Sequence, residues 1–141
     1  MKRSATAVWQ GDLKGGKGAI STDSGVLRET QYSFGTRFEN GPGTNPEELI
    51  AAAHAGCFAM AFSAQLGGAG LKAERVDAKA TVTLEKVGDA WEVTESHLEL
   101  RARIPGADQA AFEKAAKAAE EGCPISKLLK AKITLDAKLE G

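Results

Sequence analysis

NPEELIAAAHAGCFAMAFSAQL, residues Asn45–Leu66, is the only long apolar run in the chain, and its reading decides the fold. Thr44 or Asn45 can cap a helix there, and Pro46 suits its first position. Glu47 and Glu48 fall where the helix dipole favours negative charge. Gly67-Gly68-Ala69-Gly70 must end it. The run is apolar on nearly every side, so it reads as a buried central helix that needs cover all round. Leu49–Leu66 also reaches the roughly 18 residues of a membrane span. It is mostly alanine, however, and His54, Gly56, Ser63 and Gln65 interrupt it. No aromatic belt or basic flank follows, so the soluble reading is preferred and no membrane is expected.

The composition agrees. A chain of 141 residues fits one compact domain, 1–141, and can bury a core without disulfides or a structural metal. Lys and Arg number 18 against 19 Asp and Glu, a net charge of −1, so nothing points to nucleic acid. The opening MKRSATAVWQ has no apolar segment behind its basic residues and is not expected to be a signal peptide. With the two cysteines it points to the reducing cytoplasm.

Upstream of the helix, Ser4–Gln10 and Lys17–Thr22 read as strands of a hairpin, with Gly11-Asp12 and Gly15-Gly16 bracketing its turn. Glu29–Phe38 has Tyr32, Phe34 and Phe38 at even spacing. It is expected to be a strand with one aromatic face and Arg37 on the other. Glu39–Pro46 is a loop. Downstream, Leu71–Val87 and Ala90–Ile104 form a long antiparallel hairpin around Gly88-Asp89. Ala107–Glu121 is a one-sided helix with Phe112, Ala115 and Ala119 inward. Cys123-Pro124 opens a short helix through Lys130, and Ala131–Leu139 alternates as a final strand. The expectation is an α+β domain whose mainly antiparallel sheet packs on the central helix.

Cys57 lies mid-helix and gains nothing from a helix N-terminus. Alone, it reads as an inert core thiol. Cys123 falls at a helix N-cap, where backbone N–H groups favour a thiolate. Cysteine is a poor cap, which marks it out. If both sulfurs face one pocket, one can be oxidised by a peroxide to a sulfenic acid that the other condenses with. His54 precedes Cys57 by three residues, and His54, His97 and both cysteines could make a metal set or a thiol–imidazole pair. The spacing lacks close paired ligands, and a packed, satisfied histidine is the preferred reading. Arg37 and Glu47 flank the loop, and physical grounds do not separate Glu47 from Glu48. Glu47 and Cys57 are separated by about 15 Å along a straight helix. If both serve one site, either the first turn is broken or Glu47 comes from a second subunit, and the second is preferred.

Gly43-Thr44-Asn45-Pro46-Glu47-Glu48-Leu49, Ala52-Ala53-His54-Ala55-Gly56-Cys57-Phe58 and Gly122-Cys123-Pro124-Ile125-Ser126 together resemble the OsmC/Ohr family, across the whole chain. Thr36-Arg37-Phe38 before the loop resembles its OsmC branch. The resemblance implies an interwound homodimer and a thiol peroxidase acting on organic, and more weakly inorganic, hydroperoxides. It assigns Cys57 as the peroxidatic cysteine and Cys123 as the resolving one. It assigns Arg37 as the cation that stabilises the Cys57 thiolate and Glu47 as the acid paired with it. It implies no metal or prosthetic group, and a dithiol reductant such as a lipoylated protein. Phe38, Phe58 and Ile125 are expected to line a pocket for an alkyl group. The rival reading is a non-catalytic, stress-related binding protein with structural cysteines.

Overall fold

The computed structural model describes every residue from Met1 to Gly141. The chain divides into two compact units, Met1–Leu49 and Ile50–Gly141.

The first unit is an antiparallel sheet of β1 (Ala5–Gln10), β2 (Lys17–Thr22) and β3 (Thr30–Tyr32), in that order. Gly18 pairs with Trp9 on one side and Tyr32 on the other. Having no side chain, it lets the two rings meet with centroids 5.5 Å apart, and a Cβ there would run into Tyr32. The strand expected over Glu29–Phe38 is cut short. Only Thr30–Tyr32 is extended, and Phe34–Phe38 is a helical turn, α1. Ser33 starts it with a capping box: its hydroxyl accepts from the Thr36 N–H, and the Thr36 hydroxyl accepts from the Ser33 N–H. The even spacing of the aromatics is thus partly a helical i,i+4 pair. Phe34 and Phe38 stack at 4.9 Å. Arg37 accordingly lies beside Phe38, 5.4 Å from its ring, and not on an opposite face.

Helix α2 runs unbroken over Pro46–Gly68. Asn45 caps it, accepting from the Glu48 N–H at 2.7 Å, and Thr44 donates to the Glu48 carboxylate at 2.6 Å. In the second unit, β4 (Arg75–Val87) and β5 (Ala90–Arg103) pair antiparallel across the Gly88-Asp89 turn, with a bulge at Thr83/Leu84. Gly88 has φ 62°, a conformation that favours glycine. Helix α3 spans Gln109–Gly122, capped by Asp108, and α4 spans Pro124–Leu128. The last strand, β6 (Lys132–Glu140), pairs with β5 in parallel, so this sheet is mixed. The helices between β5 and β6 form the long crossover that a parallel pair requires.

The core gathers the inward row of β5, Leu98, Leu100 and Ala102, with Phe58, Phe62 and Leu66 of α2 and Phe112, Ala115, Ala116 and Ala119 of α3. Phe62 and Phe112 meet edge to face at 5.8 Å. Cover of α2 is one-sided: beyond its first turn His54, Phe58, Phe62 and Leu66 are buried, whereas Met60 is 77% exposed. The expected all-round burial is therefore not reached within one chain. The helix is long and apolar enough to cross a membrane by length and composition, but its buried face belongs to this core.

Candidate active site

The crossover after β5 delivers Cys123 to α2. Gly122 ends α3, and Cys123 is at once the C-cap of α3 and the N-cap of α4, with Pro124 opening the next turn. Its sulfur lies 2.8 Å from that of Cys57, and both cysteines are free thiols. Cys57 is half-buried, while Cys123 has no exposed surface. A dissolved reagent therefore reaches Cys57 first.

Their acidities run the other way. Burial pushes the Cys57 thiol up, and its hydrogen bond with Cys123 adds to this. Burial also opposes ionisation of Cys123. There it is outweighed by the hydrogen bond with Cys57, the N–H groups of Ser126 and Ile125 and the Ser126 hydroxyl, so Cys123 falls below the usual thiol range. The Ile125 N–H acts in the opposite sense on Cys57 and is outweighed. The donor lies far along the sequence, so the mid-helix position of Cys57 carries no sign of it.

His54 is fully buried on α2, between Ser96 of β5 and Ser126 of α4. Its Nδ1 lies 2.6 Å from the Ser96 Oγ and its Nε2 lies 2.8 Å from the Ser126 Oγ. This is the satisfied histidine that the sequence favours. Burial pushes its pKa down, so the ring is neutral at pH 7. Sequence reasoning misses Ser96, although it is the one polar residue in an inward row that continues with Leu98, Leu100 and Ala102. Ser126 stands in the Gly122–Ser126 motif, where the sequence assigns it no role. His97 bonds through Nδ1 to the Thr134 hydroxyl at 2.6 Å, and no group of His, Cys, Asp or Glu is arranged to hold a metal.

Arg37 and Glu47 form the second pair. Arg37 Nε donates to Glu47 Oε1 at 3.0 Å, and its Nη2 donates to the same oxygen at 2.8 Å. Such a fork is the strong form of an arginine–carboxylate contact. Glu47 is buried, whereas Glu48 is exposed and occupied with the helix start, which separates the two acids. The four predicted site residues thus fall into two contacting pairs, Arg37–Glu47 in the first unit and Cys57–Cys123 in the second. A cavity of about 250 Å³ opens beside Arg37, lined by Trp9, Leu13, Tyr32, Ser33, Phe34 and Phe38. Of the expected pocket residues, Phe38 lines it. Phe58 is wholly buried among Phe62 and the sheet and lines no opening.

Residues 39–138 match the family described as OsmC-like protein. The chain is 49% identical over 134 residues to the peroxiredoxin OsmC of Escherichia coli (strain K12), covering 95% of this chain and 94% of that protein. It is 31% identical over 122 residues to the organic hydroperoxide resistance protein of Xanthomonas axonopodis pv. citri (strain 306), covering 86% and 84%. The solved structure of the organic hydroperoxide resistance protein OhrB of Bacillus subtilis is similar with a TM-score of 0.68, at 23% identity, covering 97% and 98% of the two chains. At that identity the likeness is one of fold.

Proposed function

The chain belongs to the OsmC-like protein family, and from that premise we propose that it is a thiol peroxidase reducing organic hydroperoxides, and inorganic ones more weakly, to alcohols or water. The observation that carries this reading is the approach of the Cys57 and Cys123 sulfurs to 2.8 Å, one half-buried and the other sealed from solvent. Closing that gap to a disulfide bond of about 2.05 Å takes only a small movement.

Cys57 is the attacking sulfur because it is the one a peroxide can reach. Its thiolate bonds to the terminal peroxide oxygen, the O–O bond breaks, and the alkoxide leaves and takes up a proton as the alcohol. Cys123 then attacks the Cys57 sulfenic acid, forming the S–S bond and releasing water. A dithiol, such as a lipoylated protein, returns both cysteines to thiols. No metal or prosthetic group enters these steps.

The raised pKa of Cys57 calls for a cation, and Arg37 supplies it. Two atoms of its fork are held by Glu47, while its Nη1 makes no hydrogen bond within the chain and can donate to a thiolate or a peroxide oxygen. The first turn of α2 is intact, so the broken-turn alternative has no support. We therefore assign Arg37 and Glu47 to the site of a second copy in a homodimer. The exposed side of α2 around Met60 supports that assembly. The aromatic cavity beside Arg37 would receive the organic group of the peroxide. The protein is placed in the cytoplasm, where dithiol reductants are available.

Turnover of cumene hydroperoxide by the reduced protein with dihydrolipoamide tests the reading. Wild type should consume peroxide and Cys57→Ser should not. Equal rates would leave the rival, a binding protein with structural cysteines.

A further inference from the structure

Resting on that reading, we propose that His54 and Ser126 are positioning residues for the disulfide step. Their hydrogen bond fixes α4 to α2 one turn away from the sulfurs and so sets the separation of Cys57 and Cys123.

Two contacts join the helices side by side. His54 precedes Cys57 by three residues on α2, and Ser126 follows Cys123 by three on α4. Residues three apart share a helix face. One contact is between the two sulfurs, at 2.8 Å. The other is between His54 Nε2 and Ser126 Oγ, also at 2.8 Å. The first is what the reaction converts into a covalent bond. The second involves no reacting atom and is already made while both cysteines are free thiols.

Apolar packing holds α4 only weakly. It has five residues, Pro124–Leu128, far fewer than the roughly 12–15 at which an isolated helix becomes even marginally stable. Ser126 is its one buried side chain. Ile125 packs on the core but is only half-buried, and Leu128 is exposed. The turn is one piece with Cys123, whose carbonyl accepts from the Lys127 N–H at 3.1 Å. A restraint on Ser126 is therefore a restraint on the Cys123 sulfur.

The imidazole is built as a spacer. His54 and Ser96 are wholly buried, and the ring's Nδ1 meets the Ser96 Oγ at 2.6 Å. The ring is thus held from β5 on one side and holds α4 on the other. An apolar side chain of similar size would fill the space, but apolar contact has no direction. A hydrogen bond fixes both distance and angle, and a buried network with every member satisfied specifies one geometry.

The consequence is a high effective concentration of one sulfur at the other. The Cys57 sulfenic acid and the Cys123 thiol give the S–S bond and water, and the hydroperoxide that made the sulfenic acid is the only oxidant consumed. A thiol already held in place closes faster. Its disulfide is also harder to reduce, because little further freedom is lost when the bond forms. Without the His54–Ser126 bond, α4 can carry Cys123 away from α2, and both the closure rate and the stability of the disulfide fall.

The test sets the equilibrium without peroxide. The full-length protein is equilibrated with mixtures of reduced and oxidised dithiothreitol, alkylated and read by intact mass. Oxidised dithiothreitol takes the two electrons and two protons of the cysteine pair as the protein disulfide forms. Ser126→Ala leaves the histidine packed and should make the disulfide about tenfold easier to reduce, a shift of about 30 mV. Ser126→Thr keeps the hydroxyl and should stay near wild type. In a His54→Leu background the same Ser126→Ala should change little, because its partner is already gone. Ser96→Ala loosens the core but spares the α2–α4 bond, so it should shift the equilibrium less than Ser126→Ala. An unmoved equilibrium in Ser126→Ala, an undiminished shift in the His54→Leu background or an equal shift in Ser96→Ala would each overturn the proposal. The peroxidase reading fails separately, if one equivalent of cumene hydroperoxide leaves wild-type Cys57 unoxidised. The dithiothreitol equilibrium would then still decide what His54 and Ser126 do.

Discussion

The sulfurs of Cys57 and Cys123 lie 2.8 Å apart, yet accessibility and acidity are split between them. Cys57 is the one a solute meets, and its thiol is pushed up. Cys123 is sealed, and against its burial its thiol is pushed down, first of all by the hydrogen bond with Cys57. The pair works as a peroxidase only if something lowers the Cys57 thiol, so the reading stands or falls on that residue's environment.

One consequence is a division of products. Cys123→Ser should leave Cys57 able to meet a peroxide, but with no sulfur to close on. After one equivalent of cumene hydroperoxide its mass should rise by one oxygen, and the species should be trapped by a sulfenate-directed reagent. Wild type should lose two hydrogens instead. Loss of oxidation in Cys123→Ser would make the buried cysteine the attacking one.

A second prediction concerns the arginine–glutamate fork. Glu47 is buried, and its carboxylate is held by Arg37, whose own side chain is 40% exposed. Water screens the cation, so the pair falls well short of the roughly 3–5 kcal/mol lost on breaking a fully buried one. Arg37→Met leaves the carboxylate buried and unpaired and should cost about 1–2 kcal/mol. Glu47→Gln leaves only an exposed cation and should cost less. Urea denaturation of both variants checks the order. If Arg37 also serves Cys57 of a second copy, both substitutions should raise the Cys57 pKa and slow sulfenate formation.

Much of the fold and of the site is legible in the sequence, for physical reasons that differ by element. The start of α2 is written in Asn45, Pro46 and Glu48, because capping is local chemistry. So is the position of Cys123, because Gly122 and Pro124 leave it between two helices. The hairpin of β4 and β5 follows from alternation and a glycine turn. The strand expected over Glu29–Phe38 shows where periodicity is ambiguous. Phe34 and Phe38 fit both a period of two and an i,i+4 pair, and the Ser33–Thr36 capping box decides for helix. The parallel pairing of β6 cannot be read, since a strand's own alternation is the same in either direction. The Ser96–His54–Ser126 chain joins three elements that are brought together only by packing, and a serine in the inward row of β5 is its one visible trace.

The buried histidine predicts an acid-sensitive stability. His54 titrates near 6.5 when unfolded and below that when folded, because burial disfavours the imidazolium. Between those two values the unfolded chain binds more protons than the folded one, so stability rises with pH there. It should be fully present above about 6.5 and decline as the pH falls toward the folded value. His54→Asn should be less stable at neutral pH, by about 1–3 kcal/mol for a hydroxyl left without a partner. It should also lose this part of the pH slope. Urea midpoints of the two proteins at about pH 7.5 and about pH 5.5 test it. An equal slope in both would assign the acid sensitivity elsewhere.

The last prediction concerns the open side of α2. Met60 is 77% exposed, and Ala52, Ala53, Gly56, Ser63 and Ala64 are exposed on the same helix. A Cβ added at Gly56 would meet nothing within 4 Å in the single chain. Were this side truly free, Gly56→Ala would stabilise the helix by roughly 0.5–1 kcal/mol, because alanine loses less backbone entropy than glycine. A homodimer reverses the expectation. Small residues let a second chain approach closely, so added bulk at Gly56 should weaken association. A charge in Met60→Asp, desolvated at such a contact, should do so more strongly. Light scattering over a dilution series gives the mass of wild type and both variants, and thermal unfolding gives their stability. Wild type should run as a dimer, with Met60→Asp shifted toward monomer at the same concentration. If Met60→Asp keeps the wild-type mass and Gly56→Ala is simply more stable, the exposed side of α2 is not the dimer contact, and the assignment of Arg37 and Glu47 to a second copy loses that support.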